Sequence, residues 1–346
     1  MKKLNLKKIL SLACAAALAL SLAACSSNGG GEAESDAPQP SGTAQTETLK
    51  VGILQYAPHP SLDNCYEGVV QGLEAAGYKD GENLVIDYQN GNGDGETNNM
   101  IAANFVSQGY DLIVAIATPA AMSAYSAAKD AGIPVIFCAA SDPVSAGLVQ
   151  SLDDPQSGAS GTSDSLNLEG QMKMIRALLP EAKSIGILYT TSEPNSLSHL
   201  KNFEALAPTY GFTIESVGIT DASEVGSGAA ALVAKGVDCV NNFTDNNVVN
   251  NLSVLLNATD AAGIPVFGSE EEQVRNGCAA SETLDYVALG NTTGQMAAQV
   301  LGGTDINSLP VSIVADSTPV YSGTNCAKFN ITIPEAYSSA VDLDNN

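Results

Sequence analysis

From Leu49 onward, short apolar runs alternate with longer segments in which apolar residues recur at helical spacing. LKVGILQY, NLVIDYQ, DLIVAIA and IPVIFCA read as strands. SLDNCYEGVVQGLEAAG, TNNMIAANFVSQG and PAAMSAYSAAKDAG, which lie between them, read as helices. The strand runs are apolar at nearly every position instead of every second one, so both faces of each strand must be covered. That pattern predicts a parallel sheet with helices on either side, the α/β class.

The second half repeats the first. KVGIL at 50–54 returns as SIGIL at 184–188, GYDLIVAIATPAA as GVDCVNNFTDNN, and DAGIPVIF as DAAGIPVFG. Tandem βα units at similar spacing predict two similar Rossmann-like lobes with parallel sheets and a ligand cleft between them. The polar stretch GASGTSDS at 158–165 reads as the crossover. LNLEGQMKMIRALLP is an amphipathic helix with Met172, Ile175, Leu178 and Leu179 on one stripe, and LDYVALGNTTGQMAAQVLGG is a further helix. The expected boundaries are 49–163 plus about 283–308 for the first lobe, and 164–282 plus about 309–346 for the second.

The first 24 residues differ from the rest. Lys2, Lys3, Lys7 and Lys8 precede the apolar run ILSLACAAALALSLAA, a basic start and a hydrophobic core too short for a permanent span. The run ends in Leu22-Ala23-Ala24-Cys25, which resembles the lipobox of bacterial lipoproteins, where the cysteine sulfur receives diacylglycerol. Residues 25–48 then read as a flexible tether, rich in Gly, Ser, Pro and acids, that would stand a globular body off a membrane. The expected location is the outer face of the cytoplasmic membrane, on a Gram-positive-type cell surface. Removing the signal with its four lysines takes the net charge from −24 to −28. So acidic a body repels nucleic acid and anionic head groups, which leaves the acyl chain as the membrane contact. Cys65, Cys138, Cys239, Cys278 and Cys326 form no metal-ligand spacing and are expected mostly as buried free thiols, with Cys278–Cys326 the one disulfide considered. There are two histidines, His59 and His199, and no HExxH, GxSxG or P-loop motif, so nothing points to an enzyme or to a cofactor.

VGILQYAPHPSLD, VAIATPAA, IPVIFCAASDPVSAGLV, SGTSD, SIGILYTTSEPNS, FTDNN and IPVFGSE resemble, in order, the blocks of the bacterial ABC-transporter substrate-binding family related to tryptophan- and tyrosine-binding lipoproteins. The resemblance covers nearly all of 49–310. It implies a type I periplasmic-binding-protein fold that hands a small solute to an ABC permease with a cytoplasmic ATPase. The solute it implies is an amino acid, aromatic (Tyr, Phe or Trp) before others. Sugars and nucleosides are the alternative ligands on such a fold, and a surface adhesin or sensor ectodomain the alternative role.

In open parallel sheets ligands sit beyond the carboxyl ends of strands. Thr118 stands where a strand gives way to a helix; its hydroxyl is expected to cap that helix, with Pro119 in the first turn and the amides of Ala120 and Ala121 free for a ligand carboxylate. The equivalent loop of the repeat, Thr244-Asp245-Asn246, offers Asp245 to an ammonium group. Further candidates are Tyr56, His59 and Leu62 after the first strand, and Ser141 after the fourth. In the second half they are Tyr189, Asn195 and Ser196 after its first strand, and Glu270 as a second ammonium acceptor. Asp142 reads as a turn-former before Pro143. NGNGDGETNNM lacks the final acid of a calcium loop and reads as a glycine-rich turn.

Overall fold

The computed structural model describes residues 48–314 and 316–345; the signal, Cys25 and the tether to residue 47 lie outside them. In the first lobe β1 (Leu49–Gln55), α1 (Pro60–Ala75), β2 (Leu84–Asn90), α2 (Gly95–Ser107), β3 (Leu112–Ile116), α3 (Thr118–Ala128), β4 (Val135–Cys138) and β5 (Ala159–Ser163) follow one another. In the second come α4 (Leu168–Leu178), β6 (Ser184–Thr190), α5 (Pro194–Leu206), β7 (Thr213–Ile219), α6 (Val225–Lys235), β8 (Cys239–Asn241), α7 (Asn246–Asn250), α8 (Leu252–Ala261), β9 (Val266–Phe267), α9 (Glu271–Arg275) and β10 (Ala280–Thr283). The chain then returns through α10 (Tyr286–Leu301) and β11 (Ser312–Ile313) to the first lobe, and through β12 (Thr318–Tyr321), α11 (Gly323–Lys328) and β13 (Val341–Asp342) to the second.

The first sheet has the order β11-β5-β4-β3-β1-β2 and is parallel throughout; the second, β7-β6-β8-β9, is parallel too. A small third sheet, β10-β12-β13, backs the second lobe. The central strands are buried on both faces, Leu112–Ile116 and Val135–Cys138 completely. Sequence repeat and structure coincide strand by strand, because β6, β7, β8 and β9 take the sheet positions of β1, β2, β3 and β4. Even a strand-anchoring device is duplicated. Asp111 accepts the amide of Lys50 at 2.7 Å, and Asp238 accepts those of Lys183 and Ser184 at 2.7 and 2.8 Å, each holding the start of the lobe's first strand.

Two expectations change. GASGTSDS is not simply a crossover, since Ala159–Ser163 is the buried strand β5. Its small polar side chains find partners inside the fold: the Thr162 and Thr293 hydroxyls meet at 2.7 Å, and Ser160 donates to the Leu309 carbonyl at 2.7 Å. Because β11 pairs with β5, the return to the second lobe falls after residue 314, not at about 308. The crossings near 167, 283 and 317 are tied together: Asn167 donates to Ser317 at 2.9 Å, and Ser317 donates to Glu282 at 2.7 Å.

Helix α10 lies on α1 at backbone-to-backbone distance. Gly68 and Gly72 on α1 face Gly290 and Gly294 on α10, and a Cβ at any of the four would overlap main-chain atoms of the opposing helix. All five cysteines of the body are free and buried, so Cys278 and Cys326 form no disulfide. Among the described residues no helix is long and apolar enough to cross a membrane.

Candidate functional site

The carboxyl ends of the strands of both lobes meet around a narrow cavity. The first lobe lines it with His59, Leu62, Ala117, Thr118, Ala139, Ser141, Asp164 and Tyr286, the second with Asn195, Thr244, Asn246 and Glu270. Eight of these are residues the sequence singled out. Ala117, Ala139, Asp164 and Tyr286 were missed.

The turn from β3 into α3 is built differently from the expectation. Ala117 holds the N-cap position at φ 79, ψ 152, a conformation almost reserved for glycine, and Thr118 is already the first helical residue. The Thr118 hydroxyl therefore does not cap the helix. Ala121 is not free either: its amide donates to the Ala117 carbonyl at 3.0 Å. The first-turn donors left over are the amides of Thr118 and Ala120, because Pro119 has none. Ala139, at φ 56 just past β4, is a second strained alanine on the cavity wall. Strain stored at both strand ends brings backbone close to whatever the cavity holds.

Asp245 is the largest correction. Its carboxylate accepts from the Thr190 amide at 2.6 Å, the Thr190 hydroxyl at 2.8 Å, the Ser196 hydroxyl at 2.7 Å and the Val248 amide at 3.1 Å. Every lone-pair direction is in use within the second lobe, and Asp245 does not line the cavity. Beside it Glu193 accepts from the Asn246 amide and side chain at 3.1 and 2.7 Å, closing the start of α7 with the chain's own carboxyl group. Burial, with Asp245 next to it, pushes Glu193 up to about 8. Asp245→Ala should accordingly cost about 3 kcal/mol or more of stability by stranding four buried donors, whereas Asp245→Asn costs clearly less. Denaturant unfolding of the two variants checks this, and equal losses would refute the bonding scheme.

Ser196 thus serves Asp245 and not a ligand. Tyr189 sits inside β6, not in a loop, and its ring packs over Gly218. Tyr56 donates to the Gly93 carbonyl at 3.0 Å and faces a separate outer cleft with Asp94, Met122 and Glu193. The glycine-rich turn closes that cleft, with Asp94 capping α2 through the Thr97 amide at 2.7 Å. His199 is buried against the Phe243 ring at 5.5 Å.

What remains in the cavity is a pair of buried acids from opposite lobes. Asp164, just beyond β5, accepts from Ser141 at 2.8 Å and from Tyr286 at 3.2 Å. Glu270, just beyond β9, accepts from Gln273 at 3.0 Å. Burial raises both carboxyl groups, Glu270 to about 7 with a further push from Asp164. No Lys or Arg lines the cavity, and burial holds His59 down to about 4, so it is neutral there. Three buried polar atoms on the wall lack partners: Asn195 Oδ1, Thr244 Oγ1 and His59 Nδ1. Two acids, open amides at a helix start and unpaired polar atoms make a receptor for a small molecule carrying both an ammonium and a carboxylate.

Comparison with known proteins agrees with the geometry. A family model described as ABC transporter substrate binding protein matches residues 50–342. The tyrosine-binding protein of Clostridioides difficile (strain R20291) is 40% identical over 267 residues, 77% of this chain and 76% of that one. The crystal structure of a Streptococcus pneumonia ABC domain in complex with L-Trp superposes with a TM-score of 0.82 at 34% identity, covering 85% of this chain and 99% of that one. The ligand-free, open structure of a Clostridium difficile substrate binding protein with adhesive properties scores 0.65 at 36% identity, over 85% and 98% of the two chains. In this structure residues of both lobes line one cavity, and Ser198 of the second lobe reaches Asp142 of the first at 2.6 Å.

Proposed function

This chain belongs to the ABC transporter substrate binding protein family, and we propose that within it the protein captures one aromatic amino acid between its lobes and delivers it to a permease. Its fold and family are those of solute-binding proteins, which bind and release without chemistry. The reading rests on one observation, the facing acids Asp164 and Glu270 in a cavity whose lining includes no Lys or Arg. Left alone the two carboxyl groups repel each other. A ligand ammonium between them turns that repulsion into attraction and favours the closed state by its differential affinity. The Thr118 and Ala120 amides then receive the ligand carboxylate. Leu62, His59 and Tyr286 offer apolar and ring surface to a side chain. The tyrosine-binding relative and the L-Trp complex favour an aromatic one. Cys25, its sulfur carrying diacylglycerol, anchors the body outside the cytoplasmic membrane through the tether.

Thermal unfolding of the body, lacking residues 1–25, against each of the twenty amino acids tests the reading. Tyrosine, tryptophan or phenylalanine should raise the midpoint in a concentration-dependent way. The chain has no Trp, so bound tryptophan is also visible by its own fluorescence. A flat screen transfers the proposal to sugars or nucleosides, and cell binding without any ligand would favour adhesion.

A further inference from the structure

We infer that Asp142 and Ser198 form a latch that holds the two lobes closed, outside the ligand cavity and independently of the ligand's own contacts. Ser198, on α5 of the second lobe, donates its hydroxyl to Asp142 Oδ2 in the β4–β5 loop of the first lobe at 2.6 Å. Among the described residues it is the one well-formed side-chain hydrogen bond between the lobes away from the crossovers, and the four ion pairs all lie within the second lobe. Away from the polar pairs that meet at the cavity, His59 with Asn246 and Ser61 with Glu270, Asp142–Ser198 is the directional contact that spans the lobes.

Both partners are held ready for it. The other Asp142 oxygen accepts the Ser145 amide at 3.0 Å, and the Asp142 carbonyl accepts the Ala146 amide at 3.0 Å, so the acceptor sits on a self-bonded turn followed by Pro143. Although burial pushes the Asp142 carboxyl up, the hydrogen bonds from Ser145 and Ser198 hold it below the usual range, and it is ionised at neutral pH. A hydroxyl donating to a carboxylate is one of the stronger hydrogen bonds available. On the other side, two residues before Ser198, Ser196 is fixed to Asp245 at 2.7 Å, which leaves α5 little freedom to turn its second serine away. Any opening about the crossovers that separates the β4–β5 loop from α5 must break this bond. Asp142 and Ser198 are positioning residues: they touch no ligand, and they set how long the closed state lasts.

Ser198→Ala removes the donor and leaves the Asp142 turn intact. Its closed state should release L-tyrosine about ten-fold faster in stopped-flow displacement, with the unfolding midpoint unchanged. Ser198→Thr keeps a hydroxyl and should restore slow release. Asp142→Ala also loosens the turn; adding Ser198→Ala to it should accelerate release no further. The ligand-free wild type should give a smaller radius of gyration by X-ray scattering than ligand-free Ser198→Ala. The inference uses the proposed amino-acid ligand as its probe only in the release measurement. If wild-type protein binds none of the twenty amino acids, the proposed function fails and the ligand-free scattering comparison alone decides the latch. Equal scattering, together with equal release rates where release is measurable, overturns it.

Discussion

Glu270→Gln and Asp164→Asn should each weaken amino-acid binding by about ten- to a hundred-fold in calorimetry, and the double variant should show no measurable uptake of heat. In the proposed complex each carboxylate supplies one charge-assisted bond to the ligand ammonium, and such bonds contribute about 1.5–3 kcal/mol. The pH profile separates the two acids. Glu270 is raised to about 7 by burial and then by Asp164, so below that pH it is largely protonated and must release its proton when an ammonium arrives. Affinity in the wild type should therefore rise between about pH 5.5 and 7 and level off above, the ionised carboxylate being the binding form. In Glu270→Gln that slope should vanish while affinity stays low at every pH. A wild-type affinity flat across this range, or undiminished binding by Glu270→Gln, would remove Glu270 from the site.

The second large effect is on stability. Gly290→Leu drives a side chain into the Cys65 carbonyl of α1, where the obstacle is backbone and cannot move aside. Overpacking of this kind costs about 3 kcal/mol or more, which for a body of this size lowers the thermal midpoint by roughly 5–10 °C. Gln295→Leu, the same side chain placed on the exposed face of α10, should stay within about 0.5 kcal/mol of wild type. Ligand binding should suffer in Gly290→Leu as well. The helix that is displaced begins at Tyr286, whose hydroxyl orients Asp164. A midpoint equal to that of the control would show that the helices have room to part.

The layered fold was legible because apolar periodicity and the internal repeat are local signals, and β1, β3 and β4 with their partners β6, β8 and β9 fell where those signals lay. The site was legible only as a set of loops. Which side chain in a loop faces the cavity depends on partners distant in the chain, and Asp245 shows why. Its four donors come from Thr190, Ser196 and Val248, so a residue whose chemistry suits an ammonium is consumed by its own lobe. Asp164 had the opposite fate. It belongs to a stretch too polar to be read as the end of a buried strand, and only the Thr162–Thr293 and Ser160–Leu309 bonds make that strand possible. The strained Ala117 left no signal at all, since a positive φ is suggested by glycine or asparagine and not by alanine.

The five cysteines of the body also carry a record of how it breathes. None is paired, all are enclosed, and burial pushes Cys65, Cys239, Cys278 and Cys326 upward, away from the reactive thiolate. They are spread through both lobes: Cys65 and Cys138 in the first, Cys239, Cys278 and Cys326 in the second. An alkylating reagent meets them only when the surrounding core comes apart, not when the lobes swing. Their labelling is a clock for whole-lobe unfolding that ticks separately from the opening and closing by which ligand enters and leaves.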